Sequence, residues 1–202
     1  MTSAAVVLAA GAGSRFGGGK LRALLDGRPI LAHVVDAARA AGLEPIVVVV
    51  PPTGELDDLE LGVVRRVVNP DPTEGLSSSV RLGLRALELD DGVEAAVILP
   101  GDQPRVRVAV IDTLLAALDA SPATPFVVPR YAGDRGSNPV VARRSIWRLA
   151  DELAGDRGFG PVLATHPELL RLVAVDGANP DVDTAADLRR LAEPGATPSD
   201  VS

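Results

Sequence analysis

The chain has 202 residues, 47% of them hydrophobic and 23% charged, with a net charge of −7 at pH 7. This length and balance suit one globular domain with a full core and exclude a disordered chain. The acidic balance excludes a broad nucleic-acid surface, and the absence of cysteine excludes disulfides and thiolate metal sites.

The opening "MTSAAVVLAAGAGSRF" has no basic segment before its apolar run, and that run is too short to span a bilayer. A soluble cytoplasmic chain with no membrane partner is expected. Ala4 to Leu8 reads as the first strand. It feeds "LAAGAGSRFGGGKL", Leu8 to Leu21, where glycines surround Arg15 and Lys20; before Asp26 the only charged side chains are Arg15, Lys20 and Arg22. Glycines let successive N–H groups converge on phosphate oxygens, and a loop at the carboxyl end of a strand is where open α/β sheets bind ligands. A small anionic ligand is therefore expected here, against the plainer reading of a turn with two solvated cations. Two familiar phosphate motifs do not fit. A P-loop needs Ser or Thr after its lysine, and Leu21 stands there; the dinucleotide fingerprint needs glycine where Phe16 stands, and an acid after the second strand where the chain has "VVVVPP".

Downstream, apolar periodicity predicts a helix from Ile30 to Ala41, strands Ile46 to Val50 and Arg66 to Val68, and a helix from Ser78 to Leu89. Next come a strand Ala95 to Leu99, a helix Val108 to Ala120, strands Phe126 to Val128 and Val140 to Ala142, and a helix Ser145 to Leu153. A strand Leu172 to Val175 and a helix Ala185 to Leu191 complete the pattern. "IVVVV" and "AAVIL" lack polar alternation, as in strands covered on both faces. The alternation predicts a single-domain α/β sandwich of three layers around a mainly parallel sheet over residues 1–192, with 193–202 a flexible tail.

"LPGDQP" delivers Asp102 to the sheet's carboxyl edge, with Pro104 ending the strand. Beside a triphosphate a lone carboxylate needs a bridging magnesium; its alternative use is as a turn cap. In "NPDVDTAADL" an extended backbone would turn Asp181 and Asp183 to one face, while Thr184 and Asp187 fit a capping box. Ser77, Ser78 and Ser79 are helix-cap candidates. His33, Tyr131 and Trp147 read as packing residues, and His166 as a loop residue with no partner.

The loop "LAAGAGSRFGGGKL" resembles, position for position, the L-A-A-G-x-x-x-R-x-G-x-x-K signature of the MobA-like nucleotidyltransferases. Later blocks follow in family order: "EGLSSSVRLGL", "LPGDQP", "GDRGSNPVV", "GDRGFGPVL" and "DVDTAADL". The alanine at position 10 is similar to the cytidylyltransferase branch that acts on the molybdenum cofactor. This resemblance implies a Rossmann-like sheet of the nucleotide-diphospho-sugar transferase type. It implies nucleotide-binding roles for Leu8, Ala10, Gly11, Ala12, Gly13, Ser78 and Ser79, and charge neutralisation by Arg15 and Lys20. It also implies a magnesium site at Asp102 and Asp183, and acceptor contacts at Asn138, Asp156 and Arg157. Three positions depart from the family: Ser137 is inserted before Asn138, Gly160 replaces an arginine, and Ala185 replaces a proline.

The activity so implied is magnesium-dependent transfer of CMP from CTP to molybdopterin, with a recipient molybdoenzyme as partner. Guanylyl transfer to molybdopterin or another phosphorylated acceptor is the close alternative. An NAD(P)-dependent oxidoreductase and a non-catalytic nucleotide-binding delivery module remain open from other classes.

Overall fold

The computed structural model describes residues 1–11, 13–132 and 137–193. In chain order the strands are β1 (Ser3–Leu8), β2 (Leu24–Leu25), β3 (Arg28–Pro29), β4 (Ile46–Val50), β5 (Arg65–Val68), β6 (Ala95–Pro100), β7 (Phe126–Tyr131), β8 (Val140–Arg143) and β9 (Leu170–Val175). The α-helices are α1 (Ile30–Ala40), α2 (Leu76–Leu87), α3 (Val108–Asp119), α4 (Gly160–Thr165) and α5 (Ala185–Ala192).

Seven strands form one sheet in the order β5-β4-β1-β6-β8-β7-β9. β1, β4, β5 and β6 are parallel, and β9 is parallel to β7; β8 runs antiparallel to both of its neighbours, β6 and β7. β2 and β3 make a separate two-stranded hairpin. Period-two alternation along the central strands sends side chains into two cores. Ala5, Val7, Val48, Val97 and Leu99 join α1 and α3 on one face. Ala4, Val6, Val47, Val49, Ala96 and Ile98 join α2 and Trp147 on the other. Helices on both faces make this the three-layer α/β sandwich with a mainly parallel, Rossmann-like sheet.

The expected helix from Ser145 to Leu153 is a 3₁₀ helix, Arg144–Glu152. Its buried residues Trp147 and Ala150, with Leu153 after it, recur every third position, the repeat of three residues per turn. The β2–β3 hairpin and α4 add elements too short to give a periodic signal. Residues 194–202, most of the expected tail, lie outside the described residues. Among the described residues no helix is long and apolar enough to cross a membrane.

β1 leads toward β4 and β5 on one side, whereas β6 lies on its other side, so the strand order reverses between β1 and β6. A crevice opens at such a reversal, outside the carboxyl ends of the strands.

Candidate functional site

Two loops leave the sheet at this reversal. After β1, Ala9 and Ala10 stay buried, and the chain then makes two 3₁₀ turns, Ser14–Phe16 and Lys20–Arg22. Gly17, Gly18 and Gly19, between those turns, and Gly13, before the first, all have positive φ, from 54° to 95°. Side chains other than glycine are strained there, which accounts for the run of glycines. After β6, the Gly101 amide donates to the Leu8 carbonyl at 2.9 Å. A Cβ on Gly101 would lie 2.8 Å from that same oxygen. Only glycine lets the second loop cross so close to the end of β1, and Asp102 follows immediately.

A third segment completes the cluster. The Val182 amide donates to the Asp102 carbonyl at 2.9 Å, and the Val182 side chain is fully buried. This anchor fixes Asp181 and Asp183 on either side of it. The capping box then holds the segment to α5: Asp187 donates its amide to Thr184 Oγ1 at 3.2 Å, and Thr184 donates its amide to Asp187 Oδ2 at 2.7 Å. Hydrogen bonding from the Thr184 hydroxyl is the chief reason the Asp187 carboxyl sits below the usual carboxylate range.

The side chains of the three segments meet. Lys20 Nζ lies 2.7 Å from Asp102 Oδ2 and 3.5 Å from Asp183 Oδ1. Arg15 reaches Asp183 Oδ2 at 2.9 Å. The Lys20 side chain is only 12% exposed, so its ammonium is held between the carboxylates, whereas Arg15, at 77%, projects into solvent. Asp181 makes no ion pair among the described residues. Its carboxyl is pushed above the usual range, by desolvation first and also by the negative charges of Asp183 and Asp102.

Other expected residues lie elsewhere. The hydroxyls of Ser78 and Ser79 are buried and accept from Asn69 Nδ2 at 2.8 and 3.0 Å, tying α2 to the end of β5. Asp156 Oδ1 accepts from the Leu76 amide at 3.3 Å, so it serves the N-terminus of α2 across 80 residues of sequence. Arg157 is exposed in the same 3₁₀ turn, Gly155–Arg157. The Asn138 carbonyl accepts from the Tyr131 hydroxyl at 3.2 Å. Leu8 and Ala10 are buried and Gly11 is exposed, and Ala12 lies outside the described residues. His33 Nε2 is 2.7 Å from the Leu25 carbonyl, in keeping with a packing role. His166 does have a partner, Glu168, at 3.1 Å. Sequence reasoning passed over Asn69 and the buried pair in which Asn179 Nδ2 donates to Gln103 Oε1 at 2.9 Å. Their signal was adjacency: Gln103 follows Asp102, and Asn179 opens the segment that carries Asp181 and Asp183.

A glycine-rich loop, two cations and a pair of carboxylates at a sheet's switch point define a nucleotide-handling α/β protein. Rv0371c from Mycobacterium tuberculosis H37Rv has the same fold, with a TM-score of 0.82 and 31% identity, covering 95% of this chain and 98% of that one. The manganese complex of Rv0371c matches with a TM-score of 0.77 and 29% identity, covering 95% and 98%. The chain belongs to the MobA-like NTP transferase domain family, whose model matches residues 5–171. Among curated proteins, the 2-C-methyl-D-erythritol 4-phosphate cytidylyltransferase of Cereibacter sphaeroides (strain KD131 / KCTC 12085) is 39% identical over 136 residues, 64% of this chain. The chain spans 59% of the length of that relative.

These findings correct the branch. Several similar curated enzymes are named for an erythritol phosphate and none of those reported for the molybdenum cofactor, so molybdopterin as acceptor and a molybdoenzyme as recipient both fall away. The reason is physical: the branch was read from Ala10 in a loop expected to meet phosphates, and such a loop carries no information about the acceptor. Membership of a transferase family also removes the oxidoreductase reading.

Proposed function

We propose that the chain transfers CMP from CTP to the phosphate of a small acceptor and releases pyrophosphate. An acceptor phosphate oxygen forms a bond to the α-phosphorus. The bond from that phosphorus to the α,β-bridging oxygen breaks, and pyrophosphate leaves with the electron pair. The observation that carries this reading is the Lys20 ammonium held between Asp102 and Asp183 beside the glycine loop. The names of similar curated enzymes support CTP as donor and make 2-C-methyl-D-erythritol 4-phosphate the first acceptor to test.

In this reading the backbone N–H groups around Ala10, Gly11 and Gly13 cradle the triphosphate, and Lys20 and Arg15 neutralise charge as the α-phosphate is attacked. Ser78 and Ser79, through Asn69, hold the end of α2 and β5 that borders the base and ribose. Asn138, Asp156 and Arg157 remain candidates for the acceptor side. A magnesium ion fits Asp102 and Asp183, because both offer hard carboxylate oxygens to one point, now filled by the Lys20 cation. Among the described residues no group of three or more His, Cys, Asp or Glu forms a metal set, so phosphate oxygens and water would supply the remaining ligands. When bound, the ion supplies Lewis-acid stabilisation of charge on the phosphates. Manganese in Rv0371c supports a divalent ion in this fold. A cytoplasmic setting follows from the proposed donor, since nucleoside triphosphates are held there.

A panel of the four ribonucleoside triphosphates with magnesium, read by thermal shift, tests the donor. A ligand stabilises a fold by the logarithm of its excess over Kd. CTP should give the largest shift. Equal shifts for all four would remove cytidylyl specificity.

A further inference from the structure

Buried polar side chains are few among the described residues: Asn69 with Ser77, Ser78 and Ser79 of α2, and Gln103 with Asn179. Gln103 and Asn179 are 7% and 6% exposed, and Asn179 Nδ2 donates to Gln103 Oε1 at 2.9 Å. Asn179 Oδ1 is buried without a hydrogen-bond partner among the described residues. An orphaned acceptor subtracts from stability, so an apolar pair of the same shape would fill this space at less cost.

What the pair does join is the two segments that carry the site acids. Gln103 directly follows Asp102, and Asn179 lies two residues before Asp181 and four before Asp183. The same segments also meet at the backbone bond from the Val182 amide to the Asp102 carbonyl, 2.9 Å long. One attachment is a pivot about which the segment could turn. A second attachment, on the other side of Asp181, removes that rotation. Each amide also precedes a proline, Pro104 or Pro180, which restricts the residue before it to extended backbone. Little chain freedom is left at either end of the bond.

The clamp opposes a definite force. Asp102 and Asp183 repel one another unless a cation stands between them, and in the ligand-free chain that cation is Lys20, at 2.7 and 3.5 Å. When Lys20 faces phosphate oxygens instead, the carboxylates push their segments apart. A hydrogen bond between two neutral amides resists that push and places no further charge beside the acids.

We propose that Gln103 and Asn179 are positioning residues that hold the Asp102 and Asp183 carboxylates at the separation a divalent ion requires. The assignment rests on the metal site of the function proposed above, and the ion itself can be followed without turnover.

Manganese alone is titrated into the full chain, and its Kd is taken from the electron paramagnetic resonance signal of the free ion, well below each variant's Tm. Asp102→Asn, as a control, should lose most of the affinity. Gln103→Asn is one methylene too short to reach Asn179. It should weaken manganese binding by about tenfold or more, as loss of a group that orients metal ligands does. Gln103→Asn/Asn179→Gln restores the summed length and should recover most of the affinity. Gln103→Met/Asn179→Leu keeps the volume without the bond. It should bind manganese as weakly as Gln103→Asn while melting at or above the native Tm. A purely structural pair would move Tm and leave the affinity of the folded chain alone, and that result overturns the proposal. So do absence of manganese binding by the native chain, unchanged affinity in Asp102→Asn, and a swapped pair that binds no better than Gln103→Asn. Pyrophosphate release is followed separately with CTP and 2-C-methyl-D-erythritol 4-phosphate. The magnesium concentration for half-maximal rate should rise in Gln103→Asn, and an unchanged value overturns the pair's part in the reaction. Lack of turnover by the native chain with every acceptor counts against nucleotidyl transfer and leaves the manganese titration to decide the pair.

Discussion

Lys20 carries two tasks that pull on the same charge. In the ligand-free chain its ammonium neutralises Asp102 and Asp183, at 2.7 and 3.5 Å. In the proposed reaction it faces phosphate oxygens. Lys20→Ala should therefore lower kcat/KM for CTP by about 100-fold or more, the scale seen when one preorganised donor is removed from a dry site. Lys20→Arg should recover little of this, because a planar fork does not replace a compact ammonium between two carboxylates. Steady-state pyrophosphate release measures both variants. Normal turnover in Lys20→Ala would return the lysine to a purely structural pairing with the acids.

At the scale of elements, the position of α2 decides where the end of β5 and the serine-held Asn69 lie. Gly83 permits α2 to sit on β1: a Cβ there would stand 2.2 Å from Val6 Cγ1. Gly83→Ala should destabilise the fold by about 1–3 kcal/mol through overpacking, read as a lower denaturant midpoint. An unchanged midpoint would mean that α2 can lift without cost. The far end of α2 is tied by Arg65 of β5, which donates to the Ala86 carbonyl at 2.8 Å and to both oxygens of Asp90 at 2.7 and 3.0 Å. Hydrogen bonding from Arg65 holds the Asp90 carboxyl below the usual range. A depressed carboxylate contributes stability that is present above the usual carboxylate pKa and lost as pH falls through the lowered one. Asp90→Asn should have a lower Tm than the native chain at neutral pH, and the two curves should converge in acid. Parallel curves down to acid would show that the pair adds no pH-dependent stability.

Across the whole molecule, the strands of the sheet and four of the α-helices could be read from the chain, because burial on both faces writes long apolar runs such as "IVVVV" and "AAVIL". The antiparallel sense of β8 could not, since four apolar-rich residues in a strand carry no direction. Of the site, Arg15, Lys20, Asp102 and Asp183 were legible through the loop and acid motifs, and the structure brings all four together. The buried pairing of Gln103 with Asn179 was not legible, because 76 residues of sequence separate the two. The central claim is that the joined cations and carboxylates perform nucleotidyl transfer. Pyrophosphate release from CTP, magnesium and 2-C-methyl-D-erythritol 4-phosphate, compared between the native chain, Asp102→Asn and Asp183→Asn, tests it most directly. Asparagine keeps the shape and turn-forming ability of each position and removes one charge. The account predicts turnover by the native chain, loss of nearly all of it in Asp102→Asn with folding intact, and a similar, less severe loss in Asp183→Asn. Near-native turnover in both variants would contradict it.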